Sequence, residues 1–144
     1  MPPFDEDDED GPVPAAVREL RGAIAGADAV LIATPEYNGS VPGQLKNALD
    51  WASRPHVTNV LRNKPVAVVG ASTGGFGAVW AQADLRRILT RIGARIVELE
   101  LPVAHAHTAF DDAGRTTDAN VAAQLGEMID ALLETARARE LVAA

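Results

Sequence analysis

The stretch Ala29-Val30-Leu31-Ile32-Ala33-Thr34-Pro35-Glu36-Tyr37-Asn38-Gly39-Ser40-Val41-Pro42 decides the fold. Its first five residues are a continuous apolar run of the kind found in a strand covered on both faces, and Thr34-Pro35 stops it. A polar loop from Glu36 to Ser40 follows. Pro42 then opens a segment whose apolar positions, Leu45, Ala48, Leu49 and Ala52, recur at helical spacing, with Lys46 and Asp50 facing elsewhere.

Working outward, the same alternation repeats. Before the strand, Val17, Leu20, Ala23 and Ile24 predict a helix from Pro14 to about Ala25, closed by Gly26. After it, Pro65 leads into a second buried strand, Val66 to Ala71, ending in Ser72-Thr73-Gly74-Gly75. Ala81, Leu85, Ile88, Leu89 and Ile92 predict a third helix that stops at Gly93. Arg95 to Leu101 reads as a partly alternating strand near a sheet edge. A last helix is expected from Thr117 towards Arg139, with Val121, Leu125, Met128, Ile129, Leu132 and Leu133 on one face. The order α, β, α, β, α, β, α implies an α/β domain with a parallel sheet and helices on both faces.

The length of 144 residues suits a single domain spanning 1–144, with 1–13 as an acidic lead-in. Four prolines and the run Asp5 to Asp10 leave Met1 to Pro14 too polar to pack, so it is expected to be extended and solvated. The six carboxylates of that run carry nearly all of the net charge of −7 and leave −1 for the rest. No basic stripe remains to neutralise phosphates, which argues against nucleic acid as a partner. No apolar run approaches the ~20 residues of a spanning helix, so no membrane partner is expected either. The absence of cysteine excludes disulfides and thiolate chemistry and favours a cytoplasmic location.

Ligands of open parallel sheets bind beyond the carboxyl ends of the strands, where helix N-termini present free amides. Two loops stand there. Pro35-Glu36-Tyr37-Asn38-Gly39 offers a ring able to lie on a planar ligand beside small residues that admit close backbone approach. Ser72-Thr73-Gly74-Gly75 offers two hydroxyls and two glycines. By itself the second loop reads first as a tight turn, and Tyr37 alone as a half-buried packing ring.

The run from Thr34 to Trp51, with Ser72 to Gly75 and the Phe-Asp-x-x-Gly loop at Phe110 to Gly114, resembles the signature of the NADPH-dependent FMN reductase family, which includes quinone and chromate reductases. The resemblance covers nearly the whole chain. It implies a flavodoxin-like fold, FMN and NAD(P)H as cofactors, and hydride transfer from nicotinamide to FMN and on to a quinone-like or other small acceptor. Pro35, Glu36, Tyr37, Asn38 and Gly39 would line one side of the flavin, and Ser72, Thr73, Gly74 and Gly75 the other. The flavin supplies the redox chemistry, so no catalytic side chain is expected. Glu36 is read as a loop-ordering carboxylate rather than a proton donor. The resemblance also implies a homodimer or homotetramer.

Members of that family begin with a strand, a Ser-Gly-Ser-x-x-Arg type phosphate loop, a long helix and a further strand, and this sequence shows none of them. An N-terminally truncated domain is therefore expected, with one edge of the Ala29 to Ala33 strand uncovered and FMN held weakly. A late start site, a fragment or completion by a partner would each account for it. The alternative reading is a non-catalytic flavodoxin-like remnant that acts by association. His105 and His107 lack a third ligand at recognisable spacing and read as a solvated loop, so no metal site is expected. Trp51 and Trp80 could serve at a substrate mouth or a subunit contact, but each sits at a helical position where partial burial is ordinary, and core or interface is the default reading.

Overall fold

The computed structural model describes the backbone of residues 1–143 and the side chains of 1–138. Helix α1 (Ala15–Gly26) leads into strand β1 (Val30–Thr34), helix α2 (Gly43–Ala52), strand β2 (Pro65–Ala71) and helix α3 (Val79–Ile92). Two short strands, β3 (Arg95–Ile96) and β4 (Pro102–Val103), precede helices α4 (Ala106–Ala109) and α5 (Ala119–Ala143). The sheet is parallel throughout, with β2 at its centre between β1 on one side and β3 and β4 on the other.

Alternation along β2 divides the core. Val66 and Val68 point to one face, where Leu49 and Ala52 of α2 and Leu85 and Leu89 of α3 bury them, with Leu20 and Ile24 of α1 alongside. Ala67 points to the other face, against Val97, Leu101, Val103 and the α5 residues Met128 and Leu132. A central strand buried on both faces needs apolar residues at every position, which is why its sequence shows no alternation.

The structure corrects four expectations. The stretch with His105 and His107, expected as a solvated loop, holds the short helix α4, with His105 at its N-cap and His107 within it. The strand expected over Arg95 to Leu101 is broken. Val66 pairs with Ile96 and Gly70 with Pro102, so six residue steps face four on β2, and two residues must loop out. That excursion keeps Glu98 and Glu100 exposed and lets Glu100 pair with Arg86 of α3.

The lead-in is not wholly free of the body. Its carboxylates are mostly exposed around a 3-10 turn at Glu6–Asp8, yet Phe4 packs edge-on against Trp51 at 5.1 Å between ring centroids. Trp51 Nε1 donates to Pro2 O at 2.9 Å, and the Arg54 guanidinium lies 5.2 Å over the Phe4 ring. One aromatic ring with a matching polar contact suffices to dock a segment whose average composition is too polar to pack.

The apolar stripe expected on the last helix is wider than the surface that covers it. Met128 and Leu132 are buried, whereas Ile129 and Leu133 are exposed. Strand β1 pairs on one side only, and Leu31, which shares a face with the α5 core, is 43% exposed.

Candidate functional site

The site residues named from the sequence occupy two loops at the carboxyl ends of β1 and β2. The first is a two-residue hairpin. Tyr37 N donates to Ser40 O at 3.0 Å and Ser40 N to Tyr37 O at 3.1 Å, with Asn38 at φ 52° and Gly39 at φ 73°. Positive φ at both central positions is what an Asn-Gly pair supplies most cheaply. The turn leaves the Tyr37 ring 59% exposed, so it is not an inward packing ring.

Helix α3 ties that hairpin to the second loop. Its N-cap is Ala78, in the left-handed region at φ 60° and without a side chain able to accept from the first turn. Glu36 supplies the missing acceptor from 44 residues away: its Oε2 accepts from Trp80 N at 3.0 Å and from Ala81 N at 3.1 Å. Ser40 Oγ adds a second tie, donating to Asp84 Oδ2 at 2.7 Å. That hydrogen bond, with the Arg87 guanidinium beside it, holds the Asp84 carboxyl below its ordinary pKa of 3.8.

The glycine loop is anchored from the opposite side. His105 N donates to Gly74 O at 3.1 Å and Ala106 N to Ser72 O at 2.9 Å, while Gly74 N is taken up by Ser72 Oγ at 3.1 Å. Gly77 sits at φ 56° with the Pro102 carbonyl carbon 2.5 Å from where a Cβ would stand. Gln82, buried in α3, donates to Gly77 O at 3.0 Å. With the loop pinned at both ends, the amides of Thr73, Gly75 and Phe76 find no acceptor among the described residues. Those of Glu36, Asn38 and Gly39 are likewise unbonded. Free amides on the two loops that flank an exposed ring suit a flat heterocycle with a polar edge, as the flavin ring of FMN has.

Below these loops lies a cavity of about 390 Å³ between the ends of β1 and β2, Phe110 and the start of α5. Thr34, Pro35, Gly70 and Ala71 floor it, and Val121 and Leu125 close one side. No charged side chain lines it, so it suits apolar matter and offers no cation to a phosphate. Phe110 belongs to a loop ordered by Asp111, whose Oδ1 accepts from Ala113 N and Arg115 N at 3.0 and 2.8 Å.

Other residues weighed from the sequence fall outside the loop pair. His105 and His107 stand edge to face at 6.3 Å, and the His105 backbone braces the glycine loop. Trp51 is buried beneath the lead-in. Trp80, by contrast, is half exposed and in ring contact with Phe76. Phe76, Gln82 and Asp84 were not singled out in the sequence, and Trp80 was weighed there for a substrate mouth or subunit contact, with core or interface preferred. A phenylalanine set among glycines in a polar loop was the one available signal for Phe76; Asp84 gave none, because its partner is 44 positions away.

The model of the NADPH-dependent FMN reductase family matches residues 1–108. An NAD(P)H-dependent FMN reductase of Pseudomonas aeruginosa is 41% identical over 133 residues, covering 92% of this chain and 71% of that protein. A 2-hydroxy-1,4-benzoquinone reductase of a Burkholderia species is 37% identical, covering 89% and 70%. Among solved structures, FerB, the NAD(P)H:(acceptor) oxidoreductase of Paracoccus denitrificans, superposes with a TM-score of 0.80 at 38% identity, over 95% of this chain and 75% of that one. The parallel sheet thus has the flavodoxin-like fold of that enzyme, and these relatives do not favour a non-catalytic remnant. With a family match over three quarters of its residues and a site suited to a flat heterocycle, the chain belongs to the NADPH-dependent FMN reductases and is an oxidoreductase that uses FMN and NAD(P)H.

Proposed function

We propose that this oxidoreductase passes its electrons to a planar, quinone-like acceptor at the mouth between the Tyr37 hairpin and the glycine loop. The observation that carries the reading is the exposed Tyr37 ring, held beside unbonded amides by the Glu36 clamp. The names of relatives, a 2-hydroxy-1,4-benzoquinone reductase and a quinone reductase of Pseudomonas putida, support the acceptor class.

When bound, FMN supplies the two-electron chemistry that joins nicotinamide to acceptor. The chain's own residues bind and orient. In this reading Pro35, Glu36, Tyr37, Asn38 and Gly39 border one side of the flavin ring, and Ser72, Thr73, Gly74 and Gly75 the other. The amides of Thr73 and Gly75, which have no acceptor among the described residues, would be available to donate to its polar edge. Tyr37 would offer its exposed ring to the flavin, and Glu36, bonded to Trp80 N and Ala81 N, holds the hairpin against the start of α3. No side chain acts as acid, base or nucleophile, since positioning two rings against each other is the whole task.

We further take residues 1–144 as one domain, working in the cytoplasm as a homodimer or homotetramer. No described helix is long and apolar enough to cross a membrane. The test is NADPH oxidation by the FMN-loaded protein with 1,4-benzoquinone as acceptor, beside flavin titrations of the Tyr37→Ala and Gly75→Val variants. Quinone-dependent turnover and weakened FMN binding in both variants are expected. Turnover with ferricyanide but none with the quinone would overturn the acceptor assignment, and unchanged FMN affinity in both variants would overturn the site.

A further inference from the structure

The chain holds six aromatic rings from Phe, Trp and Tyr, and three of them, Tyr37, Phe76 and Trp80, are half or more exposed on the hairpin, the glycine loop and the first turn of α3. Tyr37 is on the hairpin, while Phe76 and Trp80, 66% and 50% exposed, make a pair with ring centroids 4.9 Å apart and planes tilted by 53°. Large rings left in water in ring contact with each other form an apolar patch, and such patches mark binding surfaces.

Its location identifies the occupant. Phe76 directly follows Gly75, whose amide is unbonded. The Trp80 amide is bonded to Glu36, the neighbour of Tyr37. The pair therefore borders the same opening as the two loops. Its backbone is fixed in advance: Val79 N donates to Phe76 O at 3.1 Å, Gly77 is wedged against Pro102, and Trp80 stands in the first turn of α3. With the backbone fixed, only the side-chain rotamers remain to be ordered when a ligand stacks on the rings. An indole face is electron-rich and a quinone ring electron-poor, so the contact is electrostatically complementary as well as apolar.

We propose that Phe76 and Trp80 form the platform that holds the planar acceptor ring, and that they set the enzyme's preference for quinone-like acceptors over acceptors without a flat ring. This rests on the acceptor class given under "Proposed function". Neither residue takes part in the electron transfer itself. Each determines which molecule reaches the mouth and how long it stays.

Tryptophan emission of the flavin-free chain, titrated with 1,4-naphthoquinone, reads the platform without turnover. Trp51 is buried at 3% exposure and Trp80 is half exposed, so a quinone on the platform quenches Trp80 saturably. The saturable component should vanish in Trp80→Leu, weaken roughly two- to tenfold in Phe76→Leu and return in Phe76→Tyr, as expected for loss of one aromatic contact. In the FMN-loaded enzyme, selectivity for naphthoquinone over ferricyanide should fall by the same factor through KM.

Unsaturable quenching in the unmodified chain would overturn the proposal. So would quinone turnover with KM unchanged in both leucine variants, which would leave the acceptor class intact. A change in oligomeric mass in Trp80→Leu with quinone binding unaltered would assign the pair to a subunit contact instead. Saturable quenching without NADPH-driven quinone reduction would remove the acceptor class and keep the platform as a ring-binding site.

Discussion

Glu36 shows how much one carboxylate can organise. It caps a helix that has an alanine at its own N-cap, and in doing so fixes the hairpin against the glycine loop. Glu36→Ala should cost about 1 to 2 kcal/mol in urea unfolding, the range of a lost cap that bonds through a charged acceptor. Glu36→Gln, which keeps an acceptor oxygen, should cost less than half of that. Asp84 makes the second tie titratable. Its folded-state pKa is depressed, chiefly by the Ser40 hydroxyl, so its contribution is fully present above the unfolded value of 3.8 and is lost as pH falls through the lower folded value. An acid titration of stability should therefore be flatter below pH 3.8 in Asp84→Asn than in the unmodified chain. The turn that carries Tyr37 was legible from local sequence, because an Asn-Gly turn is a local event. The ties to Trp80, Ala81 and Asp84 were not, since each joins positions more than forty apart.

Helices α1, α2 and α3 and the two long strands follow their periodicity to within a residue or two, whereas α4 was not foreseen and α5 runs past its expected end at Arg139 to Ala143. The broken β3/β4 edge does not follow its periodicity either, for a physical reason. Partial alternation with two glutamates fits an edge strand and a looped-out bulge equally well, and the choice falls to the cross-strand partner and to Arg86. That same edge constrains the glycine loop. A Cβ on Gly77 would meet Pro102 and Val103 backbone at 2.5 and 2.7 Å, and backbone cannot swing aside as a side-chain tip can. Gly77→Ala should destabilise by about 2 kcal/mol or more, from overpacking together with positive φ. FMN affinity should fall with it, measured by flavin fluorescence, because the displaced segment carries the Gly75 and Phe76 amides. Gly74, whose Cβ would meet only the Ser72 hydroxyl at 3.6 Å, should tolerate alanine with far less loss of stability.

Across the molecule, the two sides of the sheet differ in completeness. One face is closed by three helices, while the other leaves Leu31, Ile129 and Leu133 in water beside a strand paired on one side only. Residues 29 to 34 contain no charge or turn-former to discourage pairing at that edge. The 144-residue chain is expected to self-associate as its concentration rises, seen as an increasing mass in size-exclusion chromatography with light scattering. Leu31→Lys, which places a charge at an exposed position of that strand, should shift the distribution towards monomer. A mass independent of concentration in both proteins would show that the edge is protected by other means.

Periodicity and glycine and proline punctuation were enough to establish an α/β parallel sheet with polar, glycine-bearing loops at the carboxyl ends of β1 and β2, because these properties belong to neighbouring residues. The family followed from one long local run, Thr34 to Trp51. Three features awaited the folded chain: the Glu36 clamp, the Phe76 and Trp80 pair, and the docking of Phe4 on Trp51. Burial and hydrogen bonding depend on what packs opposite a residue, and chain order does not say which distant segment that will be.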